Sequence, residues 1–510
     1  MKFFKKIINR FTIVSFMLLI QILWLVIVPV FLTNYYYYLS WIFQLLSLAV
    51  VALIINKNYD PAMKLAWIVP ILAFPIFGWA LYLVFGTSFP SARLRKKFKI
   101  SDEYTINRLP DCSDIIEEIS ESSPNAAGQI RYTARSGYAV FKNTEAEYFP
   151  LGDDAFPVLI KELKKAKSFI FIEFFIVSEG YVWSSVLEVL LQKVKEGVEV
   201  RMIYDDFGSI NYLPSKYFRT LEEYGIKCIA FNRYKPFLSV ILQNRDHRKI
   251  VVIDGNTGFT GGYNLSDEYI NQKARFGHWK DNGVMLKGEA VSALTLLFLE
   301  MWNCCRPTDG KDEIEGYLAG RRFPIEAQSD GYIMPYGDSP FNNEIIGENI
   351  YINIISNAQK YVYIFTPYLI IDTATQSALE LAAKRGVDVR IVIPHIPDKK
   401  IVYQVTKSYC PALIEAGVKI YEYTPGFIHA KSFICDDEIA TVGTINMDYR
   451  SLVHHFECGC YFYKTSIIKD IYNDYTETFK ICDPTILSKT PPGLLRNFWY
   501  ALLRLFSPLM

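Results

Sequence analysis

Histidine is scarce in this chain, with six in 510 residues. Any chemistry built on imidazole therefore has few residues to draw on. Cysteine occurs nine times, an odd number, and no two form a C-x-x-C pair. That removes the usual sequence signals of a zinc ribbon or a redox dithiol. The thiols are expected to be mostly buried and reduced rather than part of a disulfide framework. No acidic cluster stands out as a metal site, and no metal or cofactor is expected. Charge is missing altogether from Phe11 to Asn56 and again from Leu65 to Ala92. The first of these runs is too long for a signal peptide, and no small-residue cleavage site follows it.

The uncharged runs have the dimensions of membrane segments. One helical crossing needs roughly 20 apolar residues. The stretch from Phe11 to Asn56 is long enough for two, with Asn34 and Tyr35–Tyr38 expected as the turn, because tyrosines favour the membrane–water interface. A third apolar piece, Leu65–Phe85, contains Pro70, Pro75 and Gly78, so a kinked or re-entrant segment is expected. Basic residues flank the whole region: Lys2, Lys5, Lys6 and Arg10 before it, and Arg93, Arg95, Lys96, Lys97 and Lys99 after it. The positive-inside rule places both clusters in the cytoplasm, which three full crossings would not allow. The expectation is an integral, multi-pass protein of a bacterial cell membrane with a cytoplasmic catalytic portion. The second cluster would also attract anionic lipids, at about 1 kcal/mol per basic residue near the surface.

The net charge of +1 hides an asymmetry. Residues 1–99 carry 11 Lys or Arg and one acid, Asp60, a net of +10, which leaves −9 for residues 100–510. An acidic catalytic portion is a poor electrostatic partner for DNA or RNA, and no nucleic acid is expected.

Beyond the membrane region the chain reads as two copies of one pattern. Ala166-Lys167-Ser168 leads into the apolar run Phe169–Val177, and Ala358-Gln359-Lys360 leads into Tyr361–Ile371. A helical segment follows each run. Gly197-Val198-Glu199-Val200-Arg201 and Gly386-Val387-Asp388-Val389-Arg390 then enter buried-looking strands. This alternation predicts α/β layers, with sheets covered by helices.

Each copy carries H-x-K-x4-D. In the first, His247, Lys249 and Asp254 supply it; in the second, His429, Lys431 and Asp436 do. A spacing of two on a strand puts the imidazole and the ammonium on one face. Asn264 and Asn446 each lie 17 residues after their histidine, and Thr444 and Gly262 each lie 15 after. The set suits phosphodiester exchange. Lysines, the asparagine amides and the Thr444 hydroxyl would bind phosphoryl oxygens. One histidine would attack phosphorus while the other protonates the leaving alkoxide. Asp281 and Glu457 are the candidates to orient the imidazoles. Asp254 and Asp436 are as readily structural as catalytic. The other four histidines, His278, His395, His454 and His455, are read as non-catalytic.

These residues resemble the duplicated motif of the phospholipase D superfamily over residues 140–482. That resemblance implies two α/β halves sharing one pseudo-twofold active site. A narrower resemblance, to bacterial cardiolipin synthases, rests on several segments. They are Leu65-Ala66-Trp67 through Tyr82-Leu83-Val84-Phe85-Gly86, Tyr204-Asp205-Asp206-Phe207-Gly208-Ser209, His247-Arg248-Lys249, Thr366-Pro367-Tyr368 and Arg504-Leu505-Phe506-Ser507-Pro508-Leu509. It implies that two phosphatidylglycerol molecules give cardiolipin and glycerol through a phosphatidyl-histidine, with His247 as nucleophile and His429 as general acid. The sequence departs from such relatives at Asp246 (usually Asn), Lys280 (usually Arg) and Gly262 (usually a hydroxyl residue). The rival readings are a hydrolytic phospholipase D or a transferase using another lipid or alcohol, and then a membrane-tethered nuclease or a non-catalytic scaffold.

The expected organisation is a membrane anchor over 1–100 and a linker over 101–139. The repeats follow at 140–310 and 325–482. Residues 490–510 are expected to form either an interfacial helix or an ordinary helix packed on the core.

Overall fold

A computed structural model of the chain describes residues 19, 22–23, 33–57, 60–82, 86, 92–233, 244–306, 311–328, 330–342, 344–485 and 493–509. Two compact units emerge. The first comprises Met1–Arg93, Tyr234–Gln243 and Pro492–Met510; the second comprises Leu94–Arg233 and Asn244–Pro491.

Within the first unit, helices run over Thr33–Ile55, Pro61–Ala73, Pro75–Leu81 and Leu494–Phe506. Asp60 caps the second of these by accepting from the amides of Ala62 (2.8 Å) and Met63 (3.4 Å), with Pro61 at the first helical position. Pro75 ends that helix and starts the next, so the expected kink in Leu65–Phe85 is a break at Phe74. The turn expected at Asn34 and Tyr35–Tyr38 is instead helical from Thr33 onward. Nothing there breaks a helix, since the segment contains neither glycine nor proline. A small core of Val51, Ile54, Trp67, Ile71 and Tyr82 joins the first three of these helices. Among the described residues no helix is long and apolar enough to cross a membrane. The basic residues Lys2, Lys5, Lys6 and Arg10 and most of residues 11–32 lie outside the described residues.

The second unit holds both repeats, each built on one sheet. In the first, β1 (Thr144–Phe149), β2 (Phe169–Phe174), β3 (Glu199–Asp205), β4 (Lys227–Phe231), β5 (Ile250–Ile253), β6 (Thr257–Gly261) and β8 (Gly283–Gly288) take the order β1-β8-β6-β5-β2-β3-β4. The short β7 (His278–Lys280) lies outside that sheet. In the second, the order is β19-β13-β12-β10-β15-β16-β18-β9. Its strands are β9 (Tyr332–Asp338), β10 (Tyr361–Phe365), β12 (Asp388–Pro394), β13 (Lys419–Tyr423), β15 (Ser432–Cys435), β16 (Ile439–Gly443), β18 (Glu457–Tyr463) and β19 (Cys482–Pro484). Three further short strands are β11 (Leu369–Ile370), β14 (Gly426–Ile428) and β17 (Met447–Asp448).

The repeat is plain in the pairing. β2-β3-β4 and β10-β12-β13 are the parallel portions, and β5, β6, β8 and β15, β16, β18 are the antiparallel ones. Strands such as β2 are buried on both faces, as their unbroken apolar runs require. The helix Val291–Cys305 is buried along nearly its whole length, packing on β2 and β5 of one sheet and on β9 of the other. An all-round apolar helix belongs in such a place.

Residues 101–139, expected as a linker, are helical instead. Ala92–Ile106, Ser113–Ser122 and Pro124–Arg135 form three helices. Their charged residues are mostly on the outer face while Ile116, Ile119, Ala127 and Ile130 are buried, together with the polar Ser101, Thr105, Gln129 and Thr133. A helical period hidden in a polar composition explains the difference. All nine cysteines are free, eight of them buried.

Candidate active site

His247 and His429 each sit just before a central antiparallel strand, β5 and β15, and each is stitched to the opposite half. The His247 amide donates to the Phe456 carbonyl (2.9 Å), and the His429 amide donates to the Lys280 carbonyl (2.6 Å). β14 runs parallel to β7 with Ile428 opposite Lys280, and Asp246 forms the matching bridge to Phe456. In both cases the next residue along is the histidine on one side and a carboxylate on the other. His247 Nδ1 therefore lies 2.9 Å from both oxygens of Glu457, and His429 Nδ1 lies 2.6 Å from Asp281 Oδ2. The two candidate orienters thus serve histidines of the opposite repeat. In each pair the carboxyl group, when ionised, accepts from Nδ1–H and so selects the tautomer that leaves Nε2 free.

Lys249 and Lys431 follow on the same faces, each donating to the carbonyl of its own histidine. Lys431 Nζ also lies 2.8 Å from His429 Nδ1. A ring nitrogen that gives its hydrogen to Asp281 cannot accept another, so the Asp281 bond is the one compatible with an ammonium at Lys431. Burial lowers both lysines, Lys249 to about 8 and Lys431 to about 7. Burial and then Lys431 push His429 down to about 4, and burial and Lys249 hold His247 well below its ordinary value. Glu457 is driven well above the carboxylate range by burial, against the pull of Lys249. Imidazoles held neutral beside two buried lysines suit the binding of an anion.

The remaining expected residues divide. Asn446 is buried, and among the described residues its Oδ1 has no hydrogen-bond partner, so that oxygen can accept from a ligand hydroxyl. Asn264 is committed elsewhere, accepting from the Ile176 amide (3.0 Å) and donating to the Tyr269 hydroxyl (2.6 Å). Thr444, expected at phosphate, instead donates to Glu457 Oε2 (2.5 Å) and accepts from the Cys458 amide (2.9 Å). It supports the orienter of His247. Asp254 and Asp436 lie beyond the far ends of β5 and β15. Asp254 accepts from the amides of Lys167, Ser168 and Phe169 (2.7–2.9 Å), and Asp436 accepts from those of Gln359, Lys360 and Tyr361 (2.6–2.8 Å). Both have positive φ (52° and 53°) and close the turns after their strands. Neither belongs to the reacting cluster, because a strand of four residues separates each from its histidine.

His455 escaped the sequence reading. It is buried, its ring centroid lies 5.4 Å from that of His247, and its Nδ1 is 3.6 Å from Glu457 Oε1. The available signal was its position two residues before Glu457, on the same face. With it, His247, His455 and Glu457 form a set with metal-ligand spacing among the described residues, which the sequence reading did not anticipate. Aromatic rings complete the walls, with Phe175 edge-on to His247 (4.9 Å) and Trp279 against His429 (5.4 Å).

The departures from relatives have local reasons. Lys280 donates to Asp474 (2.6 Å) and the Pro150 carbonyl (3.2 Å). A methyl group added at Gly262 would overlap the Asp281 carboxylate, so that position has no room for a hydroxyl residue while Asp281 stands where it does.

Two histidine–carboxylate pairs exchanged between tandem α/β repeats, with two lysines beside them, define a phosphodiester-transferring HKD protein. The profile of the family described as cardiolipin synthase, PLD-like domain matches residues 159–302 and 351–480, and that described as phospholipase D-nuclease N-terminal matches residues 45–86. The chain belongs to the cardiolipin synthase, PLD-like family. It is 34% identical over 443 residues to a cardiolipin synthase of Alkalihalophilus pseudofirmus, covering 86% of each chain. It is 35% identical over 457 residues to cardiolipin synthase 2 of Bacillus anthracis, covering 89% of this chain and 88% of the other. Among solved structures, phosphatidylserine synthase of Haemophilus influenzae superposes with a TM-score of 0.55 at 12% identity, over 75% of this chain and all of the other, a likeness of fold.

Proposed function

We propose that this protein is a cardiolipin synthase that moves a phosphatidyl group between two phosphatidylglycerol molecules, releasing glycerol. The observation that carries the reading is the pair of crossed histidine–carboxylate contacts, 2.9 Å at His247 and 2.6 Å at His429. Each leaves one imidazole nitrogen for chemistry.

The anionic phosphodiester enters between Lys249 and Lys431, whose ammoniums hold its non-bridging oxygens, with Asn446 adding a neutral donor. His247 Nε2 attacks phosphorus. The P–O bond to the glycerol head group breaks as His429, made imidazolium by the incoming anion and by Asp281, protonates the leaving oxygen. The product is a phosphatidyl-His247 whose ring charge Glu457 balances. A head-group hydroxyl of a second phosphatidylglycerol then gives its proton to His429 and attacks phosphorus. The P–N bond breaks, and cardiolipin leaves with both histidines restored.

The first unit supplies the membrane attachment in this reading. The helix Thr33–Ile55 bares Trp41, Ile42, Leu45, Leu48 and Leu53, and Leu494–Phe506 bares Leu494, Leu495, Phe498 and Trp499. Faces of that kind fit lipid better than water. The basic run Arg93–Lys99 then lies at the cytoplasmic surface of the cell membrane, beside anionic lipids.

The test is to present the purified full chain with phosphatidylglycerol vesicles and quantify products. Cardiolipin and glycerol in equal amounts are expected. Phosphatidic acid as the main product would instead identify a hydrolytic phospholipase D.

A further inference from the structure

We propose that His247, His455 and Glu457 bind a divalent transition-metal ion of the zinc class, and that the ion reversibly switches the enzyme off. The three residues offer ligand atoms within 4.8 Å of one another, all buried. His247 Nδ1 lies 2.9 Å from Glu457 Oε1, and His455 Nδ1 lies 3.6 Å from the same oxygen. Ligands around a tetrahedral ion, with bonds of about 2.1 Å, sit about 3.4 Å apart. Rotamer adjustments of ångström size would complete the site.

The independent observation is His455 itself. It is 8% exposed, and among the described residues its Nδ1 has no hydrogen-bond partner, although it lies 3.6 Å from Glu457 Oε1. A buried, unpaired imidazole nitrogen is costly unless something uses it. Two imidazoles and one carboxylate form a ligand set suited to zinc, with a fourth position left for water. Lys249 and Lys431 stand nearby and repel a dication, so the ion is held reversibly rather than permanently.

Inhibition follows from tautomer chemistry. In the metal-free site Glu457 keeps the ring hydrogen of His247 on Nδ1, and Nε2 holds the lone pair. An ion on Nδ1 takes that lone-pair position and moves the hydrogen to Nε2. No proton need leave the site, yet the nitrogen facing phosphorus has lost its lone pair. This step rests on His247 acting as nucleophile; the binding of metal does not.

The experiment uses the full chain in detergent with phosphatidylglycerol, with ZnCl2 titrated and then removed by EDTA. Wild type is expected to lose activity in the micromolar range and to regain it with chelator. His455→Asn should need at least about tenfold more zinc, relative to its own zinc-free rate, because it loses a ligand. His395→Asn removes an exposed histidine paired with Glu422 and should leave zinc sensitivity as in wild type. Equal sensitivity in wild type and His455→Asn, or protection by His395→Asn instead, would overturn the proposal. Cobalt(II) X-ray absorption on wild type gives a readout that needs neither activity nor a folded variant. Two imidazoles and a carboxylate support the site, and fewer than two imidazoles refute it. Metal bound in that geometry without inhibition would count against the nucleophile assignment and the switch, while leaving the binding site standing.

Discussion

His247 and His429 occupy equivalent places in two copies of one fold, yet their surroundings are not copies. His247 faces Glu457, a longer acid whose second oxygen is braced by the Thr444 hydroxyl. His429 faces Asp281, a shorter acid braced by the Asn282 amide (2.9 Å), with Gly262 standing where Thr444 stands in the other half. Beneath His247 lies a buried charge network in which Arg248 meets Glu173 (2.8 Å), Glu300 (3.3 Å) and Asp246 (3.4 Å). Beneath His429 the matching residue is Ala430. The difference teaches that the repeat preserves the positions of reacting atoms while freeing each half to stabilise its own histidine. Such a division suits a mechanism in which one imidazole becomes covalently loaded and the other only carries protons.

The sharpest way to break the comparison is to remove each ring. His247→Ala and His429→Ala should each reduce cardiolipin formation at least about a thousandfold, and the double variant should be scarcely worse, because the two act as a unit. They should differ in trapping. With radiolabelled phosphatidylglycerol, His429→Ala is expected to retain label on protein, whereas His247→Ala retains none. The opposite pattern would reverse the roles.

The orienters come next. Glu457→Gln and Asp281→Asn should each lower kcat by roughly 10² or more, with smaller effects on KM. Gly262→Ala should reproduce the Asp281 defect without touching the carboxylate, since the new methyl displaces it. An active Gly262→Ala enzyme would undo the account of that half.

The lysines give a pH test. Lys431 stands at about 7 and Lys249 at about 8 in the folded chain, against about 10.5 for a free lysine. Between those values the unfolded chain holds more protons, so the stability contributed by these groups rises with pH. The ammoniums that bind phosphate are lost over the same range. Activity and stability should therefore part company, with kcat/KM falling as pH passes from about 7 to about 8 while the contribution to Tm does not fall. The limb in kcat should lie higher, because bound phosphate favours the ammonium.

Smaller effects separate support from scaffold. Thr444→Val should cost on the order of tenfold in kcat through loss of one hydrogen bond, at about 1–2 kcal/mol, and Thr444→Ser should recover it. Asp254→Asn and Asp436→Asn should lower Tm by a few degrees while leaving kcat near wild type, as turn-closing residues should.

Much of this was legible beforehand for physical reasons. A spacing of two on a strand places His and Lys together, and a doubled motif in register needs no structure to be noticed. The α/β layers followed from buried runs alternating with helical periods. What stayed hidden depends on folding in three dimensions. Asp281 and Glu457 could be named, but not their exchange between halves, because that comes from β7 meeting β14 and Asp246 meeting Phe456 across the chain. Thr444 read as a phosphate donor because its hydroxyl falls in register 15 residues after His429, whereas its hydrogen goes to Glu457. His455 was passed over beside His454, where adjacent histidines gave no hint of which faced inward.

The stitching of each histidine's amide to a carbonyl of the other half has a practical corollary for dissection of the chain. A fragment ending before residue 306 would keep His247 but lose both Glu457 and the peptide group that sets the ring's height. A fragment beginning after 330 would keep His429 and lose Asp281 in the same way. Halving the chain would thus yield two inert pieces, and whatever competence returns on mixing them would report reassembly rather than the skill of either part.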